Sequence, residues 1–388
     1  MTEVPEGFED IAPAMRAAHE RIVAVLCERG YRLEDYPLAL PPGRRDGQAA
    51  ALAYPIQGIL KYHGLSDWEQ RIAYLPSISV NNDAAHTVTL VSFEPSLPAD
   101  RLRLNGQEAT GRPLERVSAT LDVVRSLAHI QSHALVESRN VVRASRTGKG
   151  LGTSASASAA LAMAALAAAL GTEAVANQRL LSCLARLLAG SGCRSATGGV
   201  SLWLSYPGAA HEDSFALRLD EHDELADLAL LTVPLDSRIG LSTEQAHREA
   251  PHSPFFRPWM WQREAEVLEC LAAVQARDWR TLGQLAELDS IRLHGVTMTA
   301  SRENKLFAWE PENIPLFRLC NRLRTAGVPV YFSTDTGPTT VFLTHRDTAA
   351  TVAREIGALA DYEVVSGRVA GPARLLPVDE ARSRLTGV

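Results

Sequence analysis

Along this chain the hydrophobic positions change period several times, and each change marks an element. Between residues 10 and 36, Ile11, Met15, Ala18, Ile22, Val25 and Leu26 fall on one face at helical spacing, which predicts an amphipathic helix. Pro37, Pro41 and Pro42, followed by Gly43-Arg44-Arg45-Asp46-Gly47, break the pattern. A linker is expected there, with the helix packed on the outside of the rest of the chain. From Ala51 the texture turns to short apolar runs. Residues 53–64 read as a strand and turn holding one lysine, Lys61, in apolar company. Residues 77–80 and 87–93 read as strands separated by Asn81-Asn82-Asp83, and 101–104 followed by Asn105-Gly106 is a hairpin signal. A helix over 114–134 buries Val117, Leu121, Val124 and Leu127, and a strand over 140–144 ends at a glycine-rich loop.

Beyond that loop, 159–170 is nearly all Ala, Leu and Met, a small-volume helix. A second helix is expected over 177–189, a small-residue turn over 190–195 and a strand over 198–204. Further on, 228–233 reads as a buried strand, 258–276 and 279–294 as helices, and 328–333 with 340–343 as strands flanking Thr334-Asp335-Thr336-Gly337-Pro338. A helix near 349–359 and a strand near 373–377 close the chain. Strands come in clusters with helices between them, so the expected class is α+β with antiparallel or mixed sheets.

The loop Gly148-Lys149-Gly150-Leu151-Gly152-Thr153-Ser154-Ala155-Ser156 is the centre of this layout. Glycines permit backbone geometries closed to other residues, and Thr153, Ser154 and Ser156 supply hydroxyls where a helix begins. Free N–H groups and the positive end of the helix dipole suit a phosphate. The loop is not a Walker A motif, because Lys149 sits between glycines. Gly150-x-Gly152-x-x-Ala155, with Glu173 further on, would also pass for a dinucleotide fingerprint, although a second helix comes where a strand belongs. A plain N-capped core helix is the remaining alternative.

Composition narrows the class. The 388 residues are 46% hydrophobic and carry a net charge of −6, which leaves no basic excess for nucleic acid. Five scattered cysteines, Cys27, Cys183, Cys193, Cys270 and Cys320, give neither a disulfide framework nor a CxxC metal pair. Met1-Thr2-Glu3-Val4-Pro5-Glu6 lacks an apolar core for a signal peptide, and the run 159–170 is too short to span a bilayer. A soluble cytoplasmic protein with no membrane partner is expected.

Four side chains stand out. Asp289 shares the stripe of Leu282, Leu285 and Leu293, so a carboxylate lies on the apolar face of a helix, either functional or paired with an arginine. Lys61 is either functional or snorkels to the surface. Arg194, between Gly192-Cys193 and Ser195, offers a planar fork to a carboxylate or phosphate, and alone is an ordinary arginine. Asp335 either serves a site or shapes a turn.

These pieces together resemble the GHMP kinases, in particular their mevalonate diphosphate decarboxylase branch. Gly150-Leu151-Gly152-Thr153-Ser154-Ala155-Ser156 resembles its ATP-phosphate loop, and Lys61-Tyr62-His63-Gly64 its Lys-Tyr-Trp-Gly-Lys. Gly190-Ser191-Gly192-Cys193-Arg194-Ser195 with Gly198-Gly199 is similar to its serine-rich turn. Leu288-Asp289-Ser290 resembles its Met-Asp-Ser, and Phe332-Ser333-Thr334-Asp335-Thr336-Gly337-Pro338 its Thr-Phe-Asp-Ala-Gly-Pro. The motifs run in order from Tyr54 to Thr340, and the first 45 residues fall outside them.

The resemblance implies a two-lobed GHMP fold with the cleft between lobes, here divided as 1–47 (appended helix and linker), 48–225 (lobe with the phosphate loop) and 226–388 (lobe with Asp289). It implies ATP and Mg2+ as cofactors, a phosphorylated mevalonate as substrate, and a homodimer. Asp289 would act as base on the 3-hydroxyl, Lys61 would stabilise charge beside it, and Arg194 would hold the C1 carboxylate. Tyr62, Ser191 and Asp335 would line the substrate, Arg116 would meet its phosphate tail, and Lys149, Gly150, Gly152, Thr153, Ser154 and Ser156 would hold the nucleotide. Metal ligands are not identified. The family's second lysine, which faces the diphosphate tail, is Leu65 here, and its tryptophan is His63. Residues 54–64, Gln245-Ala246-His247-Arg248-Glu249-Ala250 and Val330-Tyr331-Phe332-Ser333-Thr334-Asp335-Thr336-Gly337 look closer to the phosphomevalonate decarboxylases of haloarchaea and some bacteria. The expected reaction is ATP-dependent decarboxylation of 5-phosphomevalonate to isopentenyl phosphate. The alternatives are the diphosphate substrate, an ATP-independent 3,5-bisphosphate decarboxylase, and, from a different class, a nicotinamide-dependent oxidoreductase.

Overall fold

The computed structural model describes residues 2–144, 151–238, 242–303 and 305–386. Three main sheets and the helices between them give the expected α+β class. In the first sheet the spatial order is Arg374–Leu376, Gln48–Ala53, Ala85–Glu94, His133–Val142, Arg101–Leu104, Gln107–Ala109. All neighbours are antiparallel except Arg101–Leu104, which runs parallel to His133–Val142. The Asn105-Gly106 hairpin is present, with both residues at positive φ (51° and 82°), as a tight two-residue turn demands. The second sheet orders Ala216–Arg218, Val200–Trp203, Ser77–Asn81 and Ile56–Leu60. The third orders Val330–Thr334, Thr340–His345, Leu228–Val233 and Val365–Arg368.

The alanine segment begins earlier than its composition suggests, as the helix Thr153–Leu170. Its side chains are buried on every face from Ser158 onward, between the first sheet and the helices Gln178–Leu188 and Gly192–Thr197. Small side chains allow that close approach, and a residue as large as leucine in place of an interior alanine would overpack by about 1–3 kcal/mol. At 18 residues this helix is long and apolar enough to cross a membrane, yet it is a core helix. No other helix among the described residues meets that criterion.

The N-terminal helix runs Ala12–Glu28, shorter than the 10–36 pattern. It packs on the outside as expected, with Arg16, Glu20, Arg21 and Ala24 exposed, while its inner face is integral to the core: Ile22 and Leu26 are fully buried in a cluster with Ile78, Val80, Val267 and Leu271. The helix expected over 114–134 is Arg112–Ala128, and those over 258–276 and 279–294 are Phe256–Gln275 and Trp279–Ala300. Residues 190–195 hold not a bare turn but the start of a short helix, Gly192–Thr197, which faces Arg194 inward. The helices Thr243–Glu249 and Asn313–Thr325 are not signalled by the hydrophobic pattern.

Candidate active site

The strand Ile56–Leu60, the helix Thr153–Leu170, the turn at Ser191 and the loop after Thr334 border one cleft of about 360 Å3. Gly152 starts the helix in the left-handed region (φ 71°), and a Cβ there would stand 2.6 Å from the Ile56 carbonyl oxygen. Glycine therefore lets the loop lie directly on the strand. No side chain caps this helix, and Leu151, Gly152, Thr153, Ser154 and Ala155 line the cleft; the Ala155 N–H donates to the Gly152 carbonyl at 3.0 Å, and the N–H groups of Thr153 and Ser154 are left for the cleft. A second cavity, of about 220 Å3, meets the same Thr153 and Ser154 and is walled by Leu102, Pro113, Val117 and Leu188. Ser156 points away from both: its hydroxyl shares a hydrogen bond of 2.7 Å with Thr87 and donates to the Thr153 carbonyl at 3.0 Å. Lys149 and Gly150 lie outside the described residues.

Lys61 comes directly after the strand and lies 3% exposed. Its ammonium donates to the Gly58 carbonyl, Ser333 Oγ and Asp335 Oδ1, each at 2.7 Å. Burial pulls the Lys61 pKa below its ordinary value, and the Asp335 carboxylate opposes that pull. The pair fits because residue 58 is glycine: a Cβ there would meet Lys61 Cδ at 2.7 Å and Asp335 Oδ1 at 2.9 Å.

Asp289 is brought close to Lys61 but not into the cleft. Oδ2 accepts the Lys61 backbone N–H at 2.6 Å and Arg263 Nη2 at 3.0 Å, and Oδ1 accepts Trp259 Nε1 at 2.6 Å. The carboxylate is 1% exposed, and Asp335 is the carboxylate among the described residues lining the cleft.

Arg194 lines the cleft at 2% exposure, its guanidinium carbon 5.4 Å from the centre of the Tyr62 ring. Its Nε and Nη1 are buried with no hydrogen-bond partner. Burial pushes its pKa down, and nothing anionic is bonded to these two nitrogens. Two buried guanidinium donors left open beside a cavity fit an incoming carboxylate or phosphate. Tyr62 and Ser191 line the cleft with it.

Arg116 sits in the wall of the second cavity and donates to the Leu188 carbonyl. Leu65 does not face the cleft; it is buried against Cys193, Trp203 and Ala216. The position alone therefore does not set the charge of the substrate tail.

Several cleft residues were not singled out from sequence. His247 stacks on Tyr62 with centroids 5.1 Å apart, and its Nδ1 accepts the Gly64 N–H at 2.9 Å. Burial pushes its pKa down to about 4, so the ring is neutral with the proton on Nε2. Thr243, Leu293 and Thr336 complete the lining. Trp259 and Arg263, which hold Asp289, come from a helix whose apolar periodicity hid them. Among the described residues no group of three His, Cys, Asp or Glu is placed to hold a metal ion.

An uncapped helix N-terminus, a buried lysine–aspartate pair and an arginine with two open donors meet in one cleft on a GHMP-like fold. Comparison with known proteins gives the family. Residues 53–216 match the Diphosphomevalonate decarboxylase-like N-terminal domain. The Phosphomevalonate decarboxylase of Haloferax volcanii is 36% identical over 86% of this chain and 99% of its own length. The chain belongs to the phosphomevalonate and diphosphomevalonate decarboxylase family, within the GHMP superfamily. The Mevalonate 3,5-bisphosphate decarboxylase of Thermoplasma acidophilum is 28% identical over 85% of this chain and 78% of its own. The solved complex of MDDEF with MVAPP, AMPPCP and magnesium superimposes with a TM-score of 0.78 at 29% identity, over 85% of this chain and 99% of that one.

Proposed function

We propose that this chain catalyses ATP- and Mg2+-dependent decarboxylation of 5-phosphomevalonate, giving isopentenyl phosphate, ADP, phosphate and carbon dioxide. The observation that carries the proposal is the pairing, in one cleft, of an uncapped helix N-terminus with the open Nε and Nη1 of Arg194. The first suits ATP phosphates and the second the C1 carboxylate. The 36% identity to the Haloferax phosphomevalonate decarboxylase and the magnesium–AMPPCP complex of a neighbour support it.

In this reading the 3-hydroxyl loses its proton and attacks the γ-phosphorus of ATP, and ADP leaves. The C1–C2 bond then breaks, carbon dioxide departs, its electron pair forms the C2–C3 double bond, and the 3-phosphate leaves with the C3–O electrons. Mg2+ supplies charge neutralisation on the phosphate oxygens when bound. Thr153 and Ser154 present the helix N-terminus to the transferring phosphoryl group, and Lys61 supplies a fixed positive charge beside the hydroxyl. The apolar wall around Val117 and Leu188 takes the nucleobase. The proton has two candidate acceptors: the resemblance favours Asp289, and exposure to the cleft favours Asp335.

The test offers the purified protein mevalonate, 5-phosphomevalonate, 5-diphosphomevalonate and 3,5-bisphosphomevalonate, each with and without Mg-ATP. Carbon dioxide from the monophosphate only with ATP supports the proposal. Turnover confined to the diphosphate, or carbon dioxide without ATP, contradicts it.

A further inference from the structure

Beside Tyr62 and His247, the tip between the strands Leu65–Asp67 and Ile72–Ala73 carries Trp68 and Arg71. Two guanidiniums bear on the Trp68 indole, Arg248 at 4.0 Å from the ring centre and Arg71 at 5.9 Å. Arg71 also lies within electrostatic reach of Tyr62, His247, Arg112 and Arg116. Four arginines therefore share one neighbourhood with two residues of the cleft wall. Their anionic company is thin. Glu244 takes Arg112 and one bond of 3.1 Å from Arg248. Arg116 Nε is buried without a partner, and Arg71 has no hydrogen-bond acceptor among the described residues.

The backbone commits Arg71 to this place. It holds φ 58°, a conformation side chains other than glycine seldom adopt. The preceding residue is fixed on both sides: the Gln70 N–H donates to Asp67 at 2.6 Å and its carbonyl accepts Arg186 Nε at 2.8 Å. Like charges gathered from two helices around one constrained turn suit an anion. Tyr62 is within electrostatic reach of both Arg71 and Arg194, with Arg194 5.4 Å from its ring. A short acid with a carboxylate at one end and a phosphate at the other fits that arrangement.

We propose that Arg71, backed by Arg248 and Arg116, is the seat of the substrate's terminal phosphate. It does the work that a lysine at position 65 would do, since Leu65 is turned into the core. This inference rests on the proposed reaction for the identity of the phosphate's carrier.

The test compares wild type with Arg71→Asn, Arg71→Lys and the remote control Arg280→Asn. Asparagine tolerates left-handed backbone, so the loop keeps its course. The kcat and KM for 5-phosphomevalonate, the KM for ATP and direct binding of 5-phosphomevalonate by calorimetry are measured. Arg71→Asn is expected to raise the KM and dissociation constant about 10- to 100-fold, the size of one or two charged hydrogen bonds, with kcat and the KM for ATP within about threefold. Arg71→Lys is expected to recover part of the loss, and Arg280→Asn to match wild type. Unchanged KM and affinity in Arg71→Asn overturns the seat. If wild type uses only the diphosphate or the bisphosphate, the proposed reaction fails by itself, and the same Arg71 comparison on that substrate still decides the seat.

Discussion

Arg194 gives the most discriminating substitution, because in the free protein it is a cost and in the complex a necessity. Nε and Nη1 are buried with no acceptor, and each unsatisfied donor of this kind costs about 1–3 kcal/mol. Arg194→Met keeps the length of the side chain and its packing against Tyr62, and removes both donors and the charge. The free variant is expected to gain about 2–6 kcal/mol, and at roughly 1 °C per kcal/mol for a chain of this size its melting temperature rises by about 2–6 °C. Catalysis moves the other way. Two charged hydrogen bonds to the substrate carboxylate, at about 1.5–3 kcal/mol each, correspond to a fall in kcat/KM of about 10^3-fold. Differential scanning calorimetry without ligand and steady-state release of carbon dioxide read the two halves separately. Adding substrate should raise the melting temperature of wild type and leave that of the variant unchanged. A variant that melts lower than wild type, or keeps activity within about threefold, refutes the reasoning.

The same geometry fixes three further outcomes. Asp289→Asn takes the 3.0 Å carboxylate partner from buried Arg263, which keeps Glu266 at 3.6 Å, and is expected to cost about 1–3 kcal/mol. Lost ADP formation with an unchanged melting temperature would instead show Asp289 working as the base, and Asp335→Asn run in parallel compares the two carboxylates. His247 is held neutral with its pKa lowered from 6.5 to about 4, so its contribution is fully present above pH 6.5 and is lost as pH falls towards 4. That amounts to at most about 3 kcal/mol, and His247→Asn, which keeps an acceptor for the Gly64 N–H, should flatten the melting temperature over that window. Gly152→Ala forces φ 71° on a residue with a Cβ and drives that carbon to 2.6 Å from the Ile56 oxygen. A loss of about 2 kcal/mol or more and a raised KM for ATP are expected, and an unperturbed variant would show that the loop does not rest on the strand.

Local patterns were legible in the sequence where local forces decide them. Asn105-Gly106 makes its hairpin because both residues accept positive φ, and the alanine run is a helix because nothing else suits its composition. The buried lysine at the end of the Ile56–Leu60 segment was visible as a charge in apolar company, and the arginine after Ser191 as a planar fork in a small-residue turn. What stayed hidden depends on distant partners. Asp289 was readable as a carboxylate on an apolar stripe, but Trp259 and Arg263, which turn it away from the cleft, lie one helix earlier in the chain. Whether position 65 faces substrate or core is a question of strand register, and the bulge between Leu65 and Asp67 helps decide it. Arg71 reads as an ordinary surface residue until the fold gathers other arginines around it.

The central claim is that one cleft couples phosphoryl transfer from ATP to loss of carbon dioxide from a monophosphorylated acid. It is tested most directly by a single-turnover experiment with Mg-ATP and 5-phosphomevalonate carrying labelled C1. ADP, phosphate, labelled carbon dioxide and isopentenyl phosphate in equal amounts are expected. ADP without carbon dioxide, or carbon dioxide without ADP, would contradict the account.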